Sequence, residues 1–130
     1  VWRDLFLNAK VYGADIDLSA LIINANEPRI SVAGGNAYDL NFIKNNYSDI
    51  KFDVIIDDGP HTLESMLFFA SHYSSLLAPN GIMVVEDIPV FEWTTSIKNA
   101  LPEHLKSKSH AVDLRYINNR WDDIMFIVKS

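Results

Sequence analysis

The chain has 130 residues, 48% of them hydrophobic and 22% charged, with no cysteine and a formal net charge of −6. This suits a single globular domain over 1–130 and excludes disulfides, zinc–thiolate sites and thiol catalysis. An acidic domain lacks the basic footprint of a nucleic-acid binder, and no apolar run approaches the ~20 residues of a membrane span.

Val1-Trp2-Arg3-Asp4 shows no basic-then-apolar signal pattern. Together with the lack of cysteine, this fits a cytoplasmic protein. The chain starts inside an amphipathic stretch, Trp2 to Asn8, and we expect it to be part of a longer one. Residues 9–14 read as a short strand that delivers Asp15 and Asp17 to its end. A weak helical stretch over Ser19 to Ala25 follows. Arg29 to Ala33 reads as the next strand, stopped by Gly34-Gly35, and Leu40 to Tyr47 as a short helix with Phe42, Ile43 and Tyr47 on its apolar side.

Phe52 to Asp57 is the clearest strand. Thr62 to Leu77 is the clearest helix, with Thr62 as N-cap and an apolar face including Leu63, Met66, Phe69, Ala70 and Tyr73. Ala78-Pro79-Asn80-Gly81 reads as a turn that ends this helix and starts a strand through Val85. A helix of about two turns is expected near Glu92 to Ala100, and 102–109 reads as a polar surface loop. Residues 111–116 and 124–128 read as a hairpin turning at Asn118-Asn119-Arg120, where Asn tolerates positive φ. Alternating strands and helices predict a Rossmann-like, three-layer α/β fold with a mostly parallel sheet and a C-terminal antiparallel hairpin.

The most informative stretch is Phe52-Asp53-Val54-Ile55-Ile56-Asp57-Asp58-Gly59-Pro60-His61, read with Gly81-Ile82-Met83-Val84-Val85-Glu86-Asp87-Ile88-Pro89. Each apolar run reads as a buried parallel strand, and each ends abruptly in acids. Open α/β sheets bind ligands at the carboxyl ends of their strands. Two such ends can bring Asp58, Glu86 and Asp87 into one cluster with His61. Taken alone, Asp57 and Asp58 serve equally well as acids at the start of the following helix, and Glu86-Asp87 as an ordinary strand exit. Asp17 is read either as a helper of Asp15 or as the cap of the next helix. His72, His104 and His110 read as structural or solvated, and Trp2, Trp93 and Trp121 as packing residues, with Trp93, after the Glu86-Asp87 loop, alternatively lining an acceptor pocket.

These segments, together with Val11 to Asp17 and Gly35-Asn36-Ala37, resemble class I S-adenosylmethionine-dependent methyltransferases. The resemblance is closest to the metal-dependent macrocin and mycinamicin sugar O-methyltransferases and the cephalosporin hydroxylase-like proteins, and it runs from Trp2 onward. It implies that Asp15 accepts hydrogen bonds from the cofactor ribose, that Asn36 and Ala37 lie beside the adenine, and that Asp57 also belongs to the cofactor side. Asp58, Glu86 and Asp87 are then ligands of Mg²⁺ or another divalent cation, and His61 is the general base. The chain departs from the family at Asn36, commonly Asp, and at Pro60, commonly Ser. It shows no Gly-rich cofactor loop, so the family's first strand is expected upstream of Trp2. The implied activity is methyl transfer to a hydroxyl of a small molecule, a sugar or a diol. The alternative is a non-catalytic module that keeps the fold. A missing central strand would leave sheet edges on which a second copy could pair as a homo-oligomer.

That chemistry suits these residue types. Transfer from a sulfonium is an in-line displacement, so the acceptor oxygen must be aligned and its proton removed. Carboxylates are hard oxygen ligands for Mg²⁺, and a His of near-neutral pKa can take the proton.

Overall fold

The computed structural model describes residues 2–17, 19 and 27–130. The chain divides into two compact units, with the boundary between Ser48 and Asp49. Among the described residues no helix is long and apolar enough to cross a membrane.

The first unit contains a one-turn helix α1 (Trp2–Leu5), strands β1 (Val11–Asp15) and β2 (Ile30–Gly34), and helix α2 (Leu40–Tyr47). The two strands pair in parallel from Val11↔Ile30 to Asp15↔Gly34. Their carboxyl ends therefore fall together, and the Gly35 amide donates to the Asp15 carbonyl at 2.9 Å. Gly35 takes φ +147, where a side chain would also meet the Phe42 ring at 3.0 Å, so glycine is needed at this corner. Asp39 caps α2 by accepting from the Asn41 and Phe42 amides, which satisfies donors that the first helical turn leaves open. Tyr47 closes the unit by donating its hydroxyl to the Gly13 carbonyl at 3.1 Å. The expected helix over Ser19 to Ala25 lies outside the described residues, apart from Ser19.

The second unit holds β3 (Phe52–Asp57), α3 (Leu63–Tyr73), β4 (Leu77–Val85), α4 (Trp93–Ala100), α5 (Glu103–Lys106), β5 (Ser109–Asp113), α6 (Arg115–Asn118) and β6 (Ile124–Lys129). Its sheet has the order β3-β4-β6-β5. β3 and β4 run parallel, while β6 is antiparallel to both β4 and β5. This is the mixed α/β arrangement expected, with one antiparallel strand from the terminal pair. Met83, Val85, Ile124, Phe126 and Val128 are all at most 2% exposed, and each such side chain stabilises the fold by about 1.5–3 kcal/mol. Helix α3 packs against α4 and β3.

Five expectations need correction. Helix α3 stops at Tyr73, and a 3-10 turn over Ser74–Leu76 follows. Ala78 to Gly81 does not separate helix from strand but lies inside β4. The β3–β4 register passes from Phe52↔Leu77 to Val54↔Ile82 across an irregularity, with Asn80 at φ +64. The segment read as a polar loop contains α5, anchored by buried Leu105. The terminal strands pair as expected, but α6 stands between them, and the turn residue Asn119 is its left-handed C-cap at φ +54. Trp2 and Trp121 are 49% and 71% exposed, so neither is a core packing residue.

Candidate functional site

Parallel pairing sets the geometry of the acids in the second unit. Asp57 and Val85 are register mates at the ends of β3 and β4, and the Glu86 amide donates to the Asp57 carbonyl at 3.0 Å. Asp58 and Glu86 thus leave the same edge side by side, followed by His61 and Asp87. Asp57 itself is buried. The Thr62 side chain, not Asp57 or Asp58, caps α3, in a reciprocal capping box with Ser65.

Asp58, His61 and Asp87 each present a ligand atom within 4.8 Å of the others. His61 Nε2 lies 3.3 Å from Asp58 Oδ1. Glu86 stands outside that trio but feels it. Burial pushes its carboxyl above the ordinary value, the negative charges of Asp58 and Asp87 add to the rise, and His61 and Arg120 oppose it. A cluster that holds one carboxyl partly against ionisation gains from a cation. Two members of the trio also have left-handed backbones, His61 at φ +51 and Asp87 at φ +49. Non-glycine residues held there cost on the order of 1–3 kcal/mol each and recur at ligand clamps.

Sequence reasoning missed Arg120, which was assigned to a turn. Its Nη2 donates to Asp87 Oδ2 at 2.8 Å and lies 3.5 Å from Asp122 Oδ1. The one available signal was its position as the sole basic residue between Arg115 and Lys129, in a chain whose acids cluster. Beside it, an open cavity of about 430 Å³ is lined by Asp113, Arg115, Tyr116 and Trp121.

The residues expected on the cofactor side of the first unit also meet at a sheet edge. Asp15 ends β1, and Asn36 and Ala37 follow β2 directly. Asp15 Oδ1 accepts from the Asp17 amide at 2.8 Å, and Asn36 Oδ1 accepts from the Tyr38 amide at 3.0 Å. Asp15 and Asn36 are exposed, and Ala37 is half-buried. Asp17 accepts from the Ser19 amide at 2.9 Å.

No protein-family model and no curated protein matches the chain. Solved structures do. The MycE methyltransferase of the mycinamycin biosynthetic pathway, in complex with Mg and SAH, is 30% identical over 66% of this chain and 22% of its own, with a TM-score of 0.57. The same enzyme with Mg, SAH and mycinamycin VI aligns over 99% of this chain and 38% of its own, at 20% identity and a TM-score of 0.67. A candidate rRNA methylase from Clostridium thermocellum aligns over 94% of this chain and 75% of its own, at 16% identity and a TM-score of 0.61. The chain thus spans between about a fifth and two-fifths of MycE. Its fold is that of the Rossmann-like methyltransferases.

Proposed function

We propose that this chain carries the acid–histidine centre of an S-adenosylmethionine-dependent, metal-assisted O-methyltransferase whose acceptor is a hydroxyl of a small molecule, a sugar or a diol. The observation that carries this reading is the convergence of Asp58, His61 and Asp87 within 4.8 Å at the carboxyl ends of adjacent parallel strands. The likeness to MycE, solved with Mg and SAH, supports it.

The donor set fits a hard divalent cation. Asp58, Glu86 and Asp87 offer carboxylate oxygens on neighbouring loops, and Mg²⁺ commonly keeps waters in its remaining positions. A bound cation of this kind lowers the cost of deprotonating a hydroxyl. His61 supplies the proton acceptor. In the tautomer with its proton on Nε2 it donates to Asp58, which orients the ring and leaves Nδ1 as the basic atom. Asp15, exposed at the end of β1, suits the ribose hydroxyls of the methyl donor, with Asn36 and Ala37 beside the adenine and Asp57 supporting the β3 end. S-adenosylmethionine, when bound, supplies the methyl group.

The rRNA methylase likeness bears on fold alone at 16% identity, and a net charge of −6 opposes an RNA substrate. Calorimetry with S-adenosylhomocysteine, in Mg²⁺ and then in chelator, tests the proposal. Micromolar binding of the ligand together with a measurable Mg²⁺ isotherm supports it. A folded chain that binds neither overturns it in favour of a non-catalytic module.

A further inference from the structure

We infer that Arg120 and the divalent cation compete for Asp87, so that Arg120 sets the cation affinity of the site and its release frees the β5–β6 connection. The inference rests on the cation reading of Asp58, Glu86 and Asp87.

Arg120 Nη2 meets Asp87 Oδ2 at 2.8 Å, and the Asp87 side chain is only 23% exposed. The carboxylate therefore has little surface left on which a second cation can approach. A divalent ion held by Asp58, Glu86 and Asp87 would also face the guanidinium across one carboxylate, and like charges that close repel. Arg120 could instead stay and orient the ligand, as hydrogen-bonded partners of metal ligands often do. Three observations favour its departure. Its side chain is 54% exposed, so it can move into water without unpacking a core. Asp122 stands 3.5 Å away as a ready second partner, which lowers the cost of leaving. The connection that carries it is short and surface-lying, with Asn119 at φ +54 just before it and Trp121, 71% exposed, just after.

The two roles predict opposite signs. Mg²⁺ and Mn²⁺ are titrated by calorimetry at fixed ionic strength into the full chain, Arg120→Ala and Arg120→Lys. Competition predicts about three- to fivefold tighter binding by Arg120→Ala, the scale of a part-exposed ion pair. Arg120→Lys, which keeps the charge, stays within about twofold of the unaltered protein. Saturating Mg²⁺ shifts tryptophan emission in the unaltered protein, and the shift is lost in Trp121→Phe and in Arg120→Ala. Weaker binding by Arg120→Ala overturns the inference in favour of ligand orientation. Equal binding, or an equal gain in Arg120→Lys, removes Arg120 from the site, and static emission overturns its release. If no variant binds either ion, the cation reading itself fails and the inference falls with it.

Discussion

The Glu86 amide donates to the Asp57 carbonyl at 3.0 Å, which carries the β3–β4 ladder from the last residue of β3 to one residue past the end of β4. That bond makes two acidic loops into one edge, because Asp58 and Glu86 then follow paired positions rather than independent turns. Under the proposed function, methyl transfer depends on the atoms this edge presents. Asp58→Asn keeps the side-chain size and loses the charge. His61→Asn loses the base but tolerates the left-handed backbone at φ +51. Each variant should lower methyl transfer by about 10²- to 10⁴-fold, with a melting temperature within a few degrees of the unaltered protein. Turnover retained in both, measured with a hydroxyl acceptor and S-adenosylmethionine, would remove these residues from the chemistry.

Much of this was readable from local pattern. The β3 run Val54-Ile55-Ile56 and the Leu40 to Tyr47 periodicity both lie where the pattern puts them, but β3, at the edge of its sheet, is only partly buried, with Val54 48% exposed. The edge acids were legible because parallel strands put their carboxyl ends together. What failed was decided by tertiary contacts. Ala78-Pro79-Asn80-Gly81 has turn chemistry, yet pairing of Leu77 with Phe52 keeps it within the strand. Glu103 to Lys106 is too polar to announce a helix, and it is secured by one buried leucine. Arg120 finds Asp87 33 residues away in sequence, a pairing no local window contains.

Gly81 marks the tightest point of that irregular strand. A Cβ there would meet the Ala78 carbonyl oxygen at 2.9 Å and the Phe52 carbonyl oxygen at 3.0 Å. Both are backbone atoms and cannot rotate away. Gly81→Ala should therefore destabilise the protein by about 1–3 kcal/mol, the range for inserting a methyl into a packed site. Urea unfolding monitored by circular dichroism measures this. A change under 0.5 kcal/mol would mean that the β3–β4 irregularity yields easily.

The Asp113–Arg115 pair gives a pH test on residues outside the Asp58–His61–Asp87 trio. Arg115 donates from Nε to Asp113 Oδ1 at 2.9 Å and from Nη2 to Oδ2 at 2.6 Å. This guanidinium holds the Asp113 carboxyl below its ordinary value of 3.8, against an opposing contribution from burial. A carboxyl whose folded pKa lies below its unfolded one stabilises the fold above the unfolded value and loses that contribution as pH falls through the folded value. Asp113→Asn should thus melt lower than the unaltered protein at pH 7, and the gap should close as pH falls below the carboxylate range. Melting curves from pH 7 downward decide it, and a gap that persists undiminished in acid would locate the loss in packing rather than in the ion pair.

Under the proposed function, Asp15 separates binding of the methyl donor from folding. It sits exposed at the end of β1, and its side chain accepts a local bond from the Asp17 amide at 2.8 Å. Asp15→Ala removes little packing, so surface-scale destabilisation under about 1 kcal/mol is expected. A carboxylate accepting from two ribose hydroxyls makes charge-assisted hydrogen bonds of about 1.5–3 kcal/mol each. Its loss should weaken S-adenosylhomocysteine binding by about tenfold or more. Asp15→Asn keeps an acceptor without the charge and should fall between the two. Calorimetry on all three proteins measures the order, and an Asp15→Ala affinity equal to that of the unaltered chain would place the ribose elsewhere.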